Sequence, residues 1–277
     1  MAADSKIEWC RHTFNPWVGC TRLTPACDFC YAESWARRTG QPQLWQGERR
    51  RTTASNWQQP IRWNKAAAAA GERHRAFCAS LADVFDNQVP TRWRDDLWHL
   101  IDQTPSLDWM LLTKRPENIA KMLPTPAIGA PEWEDGWPNV WLGTTVEDAA
   151  RKRRIDVLRR VPARVRFLSC EPLLEDLGAI DLTGIQLVIV GGESGPKARP
   201  MHPAWARSIH DQCATAGVAF FFKQWGEFLP EDDAYSRDLP CIEAGPPPGG
   251  MYRVGKKAAG RLLDGVTHDA MPEVQNR

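Results

Sequence analysis

The sequence lacks any long hydrophobic run. No stretch reaches the ~20 apolar residues that a membrane helix needs, so no membrane partner is expected. The N-terminal stretch MAADSKIEWC has no apolar h-region, so the expectation is a chain without a secretory signal that works in the cytoplasm. Charge imbalance is missing as well: 35 Lys and Arg stand against 34 Asp and Glu, a formal charge of +1. Global charge therefore gives no argument for a nucleic-acid or membrane-surface partner. The basic runs Glu48-Arg49-Arg50-Arg51 and Arg151-Lys152-Arg153-Arg154 read as solvated faces, with phosphate contact as the sharper alternative. No Gly-x-Gly-x-x-Gly follows an early strand, so a dinucleotide fold has no support. Only one Cys-x-x-Cys pair exists, Cys27 and Cys30, so the two-pair pattern of many structural zinc sites is absent.

What is present is a rhythm. The chain has 277 residues, enough for one large α/β domain or two small ones. Short apolar runs recur at 15–19, 75–83, 109–117, 139–148, 165–173, 187–195 and 218–228. Runs that are apolar throughout, rather than alternating, suit strands buried on both faces of a parallel sheet. Helical patterns lie between them, including DFCYAESWARRTG, PTRWRDDLWHLIDQTP with Thr91 as its N-cap, and HPAWARSIHDQCATAG closing at Gly217. The alternation predicts a full or partial (β/α) barrel of TIM type over 1–229. From Pro230 the repeat fails, and 230–277 reads as an irregular C-terminal extension packed on the barrel. Residues 123–138 read as a long loop rich in Pro and Gly.

In such a barrel the active site is built from residues just after each strand. Those positions hold Ser80 and Asp83; Thr113, Lys114 and Arg115; Thr144, Thr145 and Glu147; Ser169, Cys170 and Glu171; Gly192, Glu193 and Ser194; and Lys223, Gln224 and Trp225. Loops are polar in any fold, but a charged residue arriving this close to so many strand ends points to a shared mouth. Just after the first predicted strand, GCTRLTPACDFCYAE carries Cys20, Cys27 and Cys30. Three readings are open. A disulfide framework conflicts with an odd count and a reducing compartment. Structural zinc needs a fourth ligand, for which Cys10 or His12 is available. A [4Fe–4S] cluster on three thiolates leaves one iron without a protein ligand. Cys170 and Cys213 read as buried thiols.

The segment resembles the radical S-adenosylmethionine superfamily, whose motif is Cys-x3-Cys-x-aromatic-Cys. Cys27-Asp28-Phe29-Cys30 matches its second half, while six residues rather than three separate Cys20 from Cys27. A longer resemblance runs through FNPWVGC, CYAE, FLSCEPLL, VIVGGESGPKARPM and FFFKQWGE. These are similar to the phage and prophage family named for its three-cysteine motif. The resemblance implies a [4Fe–4S] cluster on Cys20, Cys27 and Cys30, S-adenosylmethionine on its open iron, and a 5′-deoxyadenosyl radical that abstracts hydrogen from substrate. It also implies an external electron donor, a partner protein as an option, and a phage-encoded protein in a bacterial host. The substrate implied is a nucleotide or hypermodified base in phage DNA. By position, Tyr31, Ser80, Asp83, Lys114, Arg115, Thr144, Glu147 and Gly192 are candidates for cofactor binding, with Asp83 partnering an ammonium. Glu171, Glu193, Lys223 and Gln224 are candidates to face the substrate. Gly191-Gly192-Glu193 follows a late strand and so is not equated with the superfamily's Gly-Gly-Glu segment, which follows an early one. The alternatives are a zinc-stabilised nucleic-acid-binding protein without turnover, and a barrel nuclease or lyase using Asp83, Glu147, Glu171 and Glu193.

Overall fold

The structure is a computed structural model that describes residues 5, 7–237, 243–244 and 250–273. Its main sheet is parallel and has seven strands. They are β1 (His12–Phe14), β2 (His74–Cys78), β3 (Leu107–Thr113), β4 (Val140–Thr145), β5 (Val165–Cys170), β6 (Leu187–Gly191) and β7 (Ala219–Gln224). Strand order follows chain order through all seven, the topology of a partial (β/α) barrel of TIM type. The intervening helices include α1 (Tyr31–Arg38), α2 (Gln59–Ala70), α3 (Thr91–Asp102), α4 (Arg153–Arg159) and α5 (Pro203–Ala216). Among the described residues, no helix is long and apolar enough to cross a membrane.

The chain divides into two compact units, one of Met1–Thr144 with Val157–Arg166, the other of Thr145–Asp156 with Phe167–Arg277. In the first, β1 to β4 pair in parallel with aligned registers, Phe14 opposite Cys78, Cys78 opposite Leu111, and Thr113 opposite Thr144. Every residue of β4 is buried, which is why its sequence is apolar without alternation. The Pro- and Gly-rich stretch at 123–138 is pinned by tryptophan. The Trp98 ring lies 5.8 Å from Trp133 and 5.7 Å from Trp137, and Trp133 donates its indole N–H to the Pro162 carbonyl at 2.8 Å.

In the second unit β5, β6 and β7 pair in parallel, and α5 ends at Gly217 in the left-handed conformation. The Glu171–Pro172 peptide is cis. Beyond β7 the strands Phe228–Pro230, Met251–Arg253 and Glu243–Ala244 form a small antiparallel sheet. The chain then returns to β7: Phe222 N–H reaches the His268 carbonyl at 3.0 Å, and Trp225 Nε1 reaches Leu262 O at 2.7 Å. Parts of the expected extension, 238–242, 245–249 and 274–277, lie outside the described residues.

Two sequence expectations need correction. The first run, 15–19, does not supply the first sheet strand. Pro16 has no N–H to give a ladder, and Trp17–Val18 turns away to pair with Arg50–Arg51, leaving His12–Phe14 as β1. The N-cap of α3 is Pro90 rather than Thr91.

Candidate functional site

In the first unit the cysteine segment is built outward from the end of β1. Asn15, 1% exposed, clamps the loop after β2: its Nδ2 donates to Ser80 Oγ at 2.9 Å and its Oδ1 accepts the Leu81 N–H at 2.7 Å. Gly19 sits at φ 114°, and a Cβ there would lie 2.3 Å from the Glu48 carbonyl, so only glycine lets the chain pass. Cys20 N–H then bonds Leu44 O at 2.9 Å. A short 3-10 turn, Pro25–Cys27, presents Cys27, and Cys30 is the N-cap of α1. Tyr31 donates its hydroxyl to the Ser80 carbonyl at 2.5 Å, tying α1 to the loop after β2.

Beneath Cys20 lies a buried charge network. Arg115 Nη1 meets Asp83 Oδ2 at 3.0 Å, Arg49 Nη2 meets Asp86 Oδ2 at 2.5 Å, and Arg115 Nη2 stands 3.8 Å from Asp86. Asp83 also accepts the Phe85 and Lys114 N–H groups and the Thr113 hydroxyl. Its two oxygens thus accept donors from three elements of the unit and anchor Arg115. Thr144, expected near the cofactor, is fully buried and donates to the Thr113 carbonyl at 3.0 Å. Ala79, next to this cluster, has φ 66°, a non-glycine residue in a conformation costing on the order of 1 kcal/mol that the packing must hold.

Burial dominates the thiols. Cys20 is pushed up to about 11, first by burial and then by the Asp83 carboxylate, while Arg115, which hydrogen-bonds it, and Arg49 oppose the rise. Cys30 is raised by burial, against the pull of the Lys114 ammonium and of the Ala32 and Glu33 N–H groups at the start of α1. Cys20 and Cys30 are thus soft thiols held toward the neutral form until a metal displaces their protons, with cations and N–H groups placed to take up thiolate charge. Among the described residues, no three His, Cys, Asp or Glu side chains gather around one point as a single metal ion requires. A cluster asks for less convergence, because each thiolate binds its own iron. Soft thiolates are the donors that a [4Fe–4S] cluster takes, so the chemistry of these residues fits that group. Zinc completion also fails on position. Cys10 and His12 lie at or before the start of β1, whereas Cys20 follows its end, and His12 is stacked on Trp63 at 4.4 Å and bonded to His74 at 3.2 Å.

The second unit carries the remaining candidates. Glu147, 0% exposed, binds Arg154 through Oε2 at 2.9 Å. Its Oε1, the Thr145 hydroxyl and Gln224 Oε1 are buried without a hydrogen-bond partner among the described residues. Glu171 pairs with Lys223. Gln224 Nε2 donates to Ser194 Oγ at 2.9 Å. The other two candidates are engaged within the unit. Glu193 is clamped by Arg199 through both oxygens, at 2.6 and 2.8 Å, so it does not face outward as a free carboxylate. Gly192 is a packing glycine, since a Cβ there would lie 1.9 Å from the Trp225 carbonyl. Sequence reasoning missed Asn15, Asp86 and Arg199. It also misread Arg49 and Arg154, whose runs looked solvated although their side chains are only 3% and 11% exposed. Arg50 and Arg51 of the first run pair antiparallel with Val18 and Trp17, a long-range contact that no local sequence signal announces.

Among solved structures, the backbone is similar to that of a spore photoproduct lyase mutant with bound AdoMet and dinucleoside spore photoproduct. The identity is 11% and the TM-score 0.45, over 88% of this chain and 68% of that one. It is similar also to spore photoproduct lyase complexed with dinucleoside spore photoproduct, at 12% identity and a TM-score of 0.46, over 92% and 71%. No curated protein shows significant sequence similarity to the chain. The sequence model of one family spans residues 4–272, and the chain belongs to that family, DUF5131, described as a protein of unknown function.

Proposed function

We propose that the chain is a radical S-adenosylmethionine enzyme. Its [4Fe–4S] cluster is held by Cys20, Cys27 and Cys30, and an external donor supplies the electron. The observation that carries this reading is the donor set itself: three free thiols after the first strand of a parallel (β/α) sheet, with the Arg115 and Lys114 cations acting on Cys20 and Cys30. When bound, the cluster and S-adenosylmethionine supply a 5′-deoxyadenosyl radical for hydrogen abstraction. The chain's residues do the rest. Arg115 and Lys114 offset the charge of Cys20 and Cys30. Tyr31 and Ser80 fix α1 against the loop after β2 and border the cofactor's amino-acid end. Glu147, anchored by Arg154 through Oε2, is read as a further residue of the cofactor site. Glu171, Lys223 and Gln224 face the substrate, a nucleotide or base, as the resemblance to phage and prophage proteins implies.

Anaerobic reconstitution tests the metal. The expected product is a brown protein holding about four irons, the content of a [4Fe–4S] centre. Its visible absorption is lost in Cys27→Ala. A colourless protein with one tightly held zinc supports the zinc-stabilised alternative instead.

A further inference from the structure

Two irregularities of the second unit meet at one ion pair. Between β6 and β7 the register runs Val190 opposite Phe222, then Gly191 opposite Gln224. Lys223 is therefore the extra residue of a bulge, a device that re-aims a side chain. Glu171, at the end of β5, reaches Lys223 on β7 by crossing β6 at Gly191. A Cβ on Gly191 would lie 3.3 Å from Glu171 Cγ and 3.4 Å from its Cδ, tight enough to push the carboxylate aside.

Stability does not explain this arrangement, because a half-buried ion pair gains little over apolar packing. Nor is the pair complete. Glu171 spends Oε1 on Lys223, and no described residue donates to Oε2. The Lys223 ammonium has three N–H groups and gives one to Glu171. The two side chains remain 18% and 15% exposed. Beside them in β7, Gln224 is 6% exposed with an orphaned Oε1. The spare acceptor and the spare donors belong to two groups that already share one hydrogen bond. A trans peptide cannot satisfy both, since its N–H and C=O point in opposite directions. A lactam can, because its cis amide presents N–H and C=O side by side.

We propose that Glu171 and Lys223, positioned by Gly191 and the bulge, bind the lactam edge of a nucleobase: the ring N–H to the carboxylate, the ring C=O to the ammonium. This deepens the proposed function, in which these residues face the substrate. Thymine and guanine both carry such an edge. Calorimetric titration of the metal-free chain with thymidine, guanosine and N3-methylthymidine tests the assignment apart from any cluster chemistry. Thymidine or guanosine should bind, and which one does identifies the base. N3-methylthymidine, which has lost the ring N–H, should bind about tenfold or more weakly, the scale of one bidentate base contact. Glu171→Gln, Lys223→Met and Gly191→Ala should weaken binding of the favoured nucleoside comparably while circular dichroism stays unchanged. Equal binding of thymidine and N3-methylthymidine overturns the proposal, and so does no binding of thymidine and guanosine. Because the methylated probe is used on the unaltered chain, a variant that fails to fold does not rescue the idea.

Discussion

Two carboxylates, Asp83 and Asp86, and two guanidiniums, Arg49 and Arg115, balance to no net charge under the cysteine segment, with side chains between 1% and 9% exposed. Such a set tolerates the loss of a member poorly, because the partner's charge stays buried. Asp86→Ala should lower the unfolding free energy by about 3–5 kcal/mol, read from urea denaturation, since Arg49 would keep no carboxylate. A change below 1 kcal/mol would show that water reaches Arg49. At this scale the sequence showed residue types but not partners. Asp83 was visible as a polar residue after a strand. Its commitment to Thr113 and Arg115 depends on the loop after β3, more than 30 residues away in sequence, and no local pattern carries that. The three cysteines were legible because their spacing is local.

The segment between β1 and α1 owes its path to one glycine and to the antiparallel pairing of Trp17–Val18 with Arg50–Arg51. Gly19→Ala should destabilise by more than about 1 kcal/mol, because a left-handed φ and a contact with the Glu48 carbonyl are both violated. It should also lower iron uptake on reconstitution by displacing Cys20, whereas Gly40→Ala, with nothing within 4 Å of the new Cβ, should leave uptake unchanged. Equal uptake by wild type and Gly19→Ala would separate the path of the chain at Gly19 from the metal site. Helix ends and buried strands were largely readable, as in the closure of α5 at Gly217. The bulge at Lys223 was not, because a bulge exists only relative to a partner strand. The same holds for β1, where an apolar run after Pro16 outweighed three residues that matter only through their pairing with β2.

For the molecule as a whole, apolar strands separated by helices were enough to give the (β/α) class, and the sheet order agrees with it. The chemistry is carried by few residues, and the central claim is that three of them hold a cluster that activates S-adenosylmethionine. The direct measurement is incubation of the reconstituted, dithionite-reduced protein with S-adenosylmethionine, followed by chromatography for 5′-deoxyadenosine. The account predicts 5′-deoxyadenosine from the wild type, even without substrate, and none above background from Cys20→Ala, Cys27→Ala or Cys30→Ala. No 5′-deoxyadenosine from a protein loaded with its iron, or equal amounts from the cysteine variants, would contradict it.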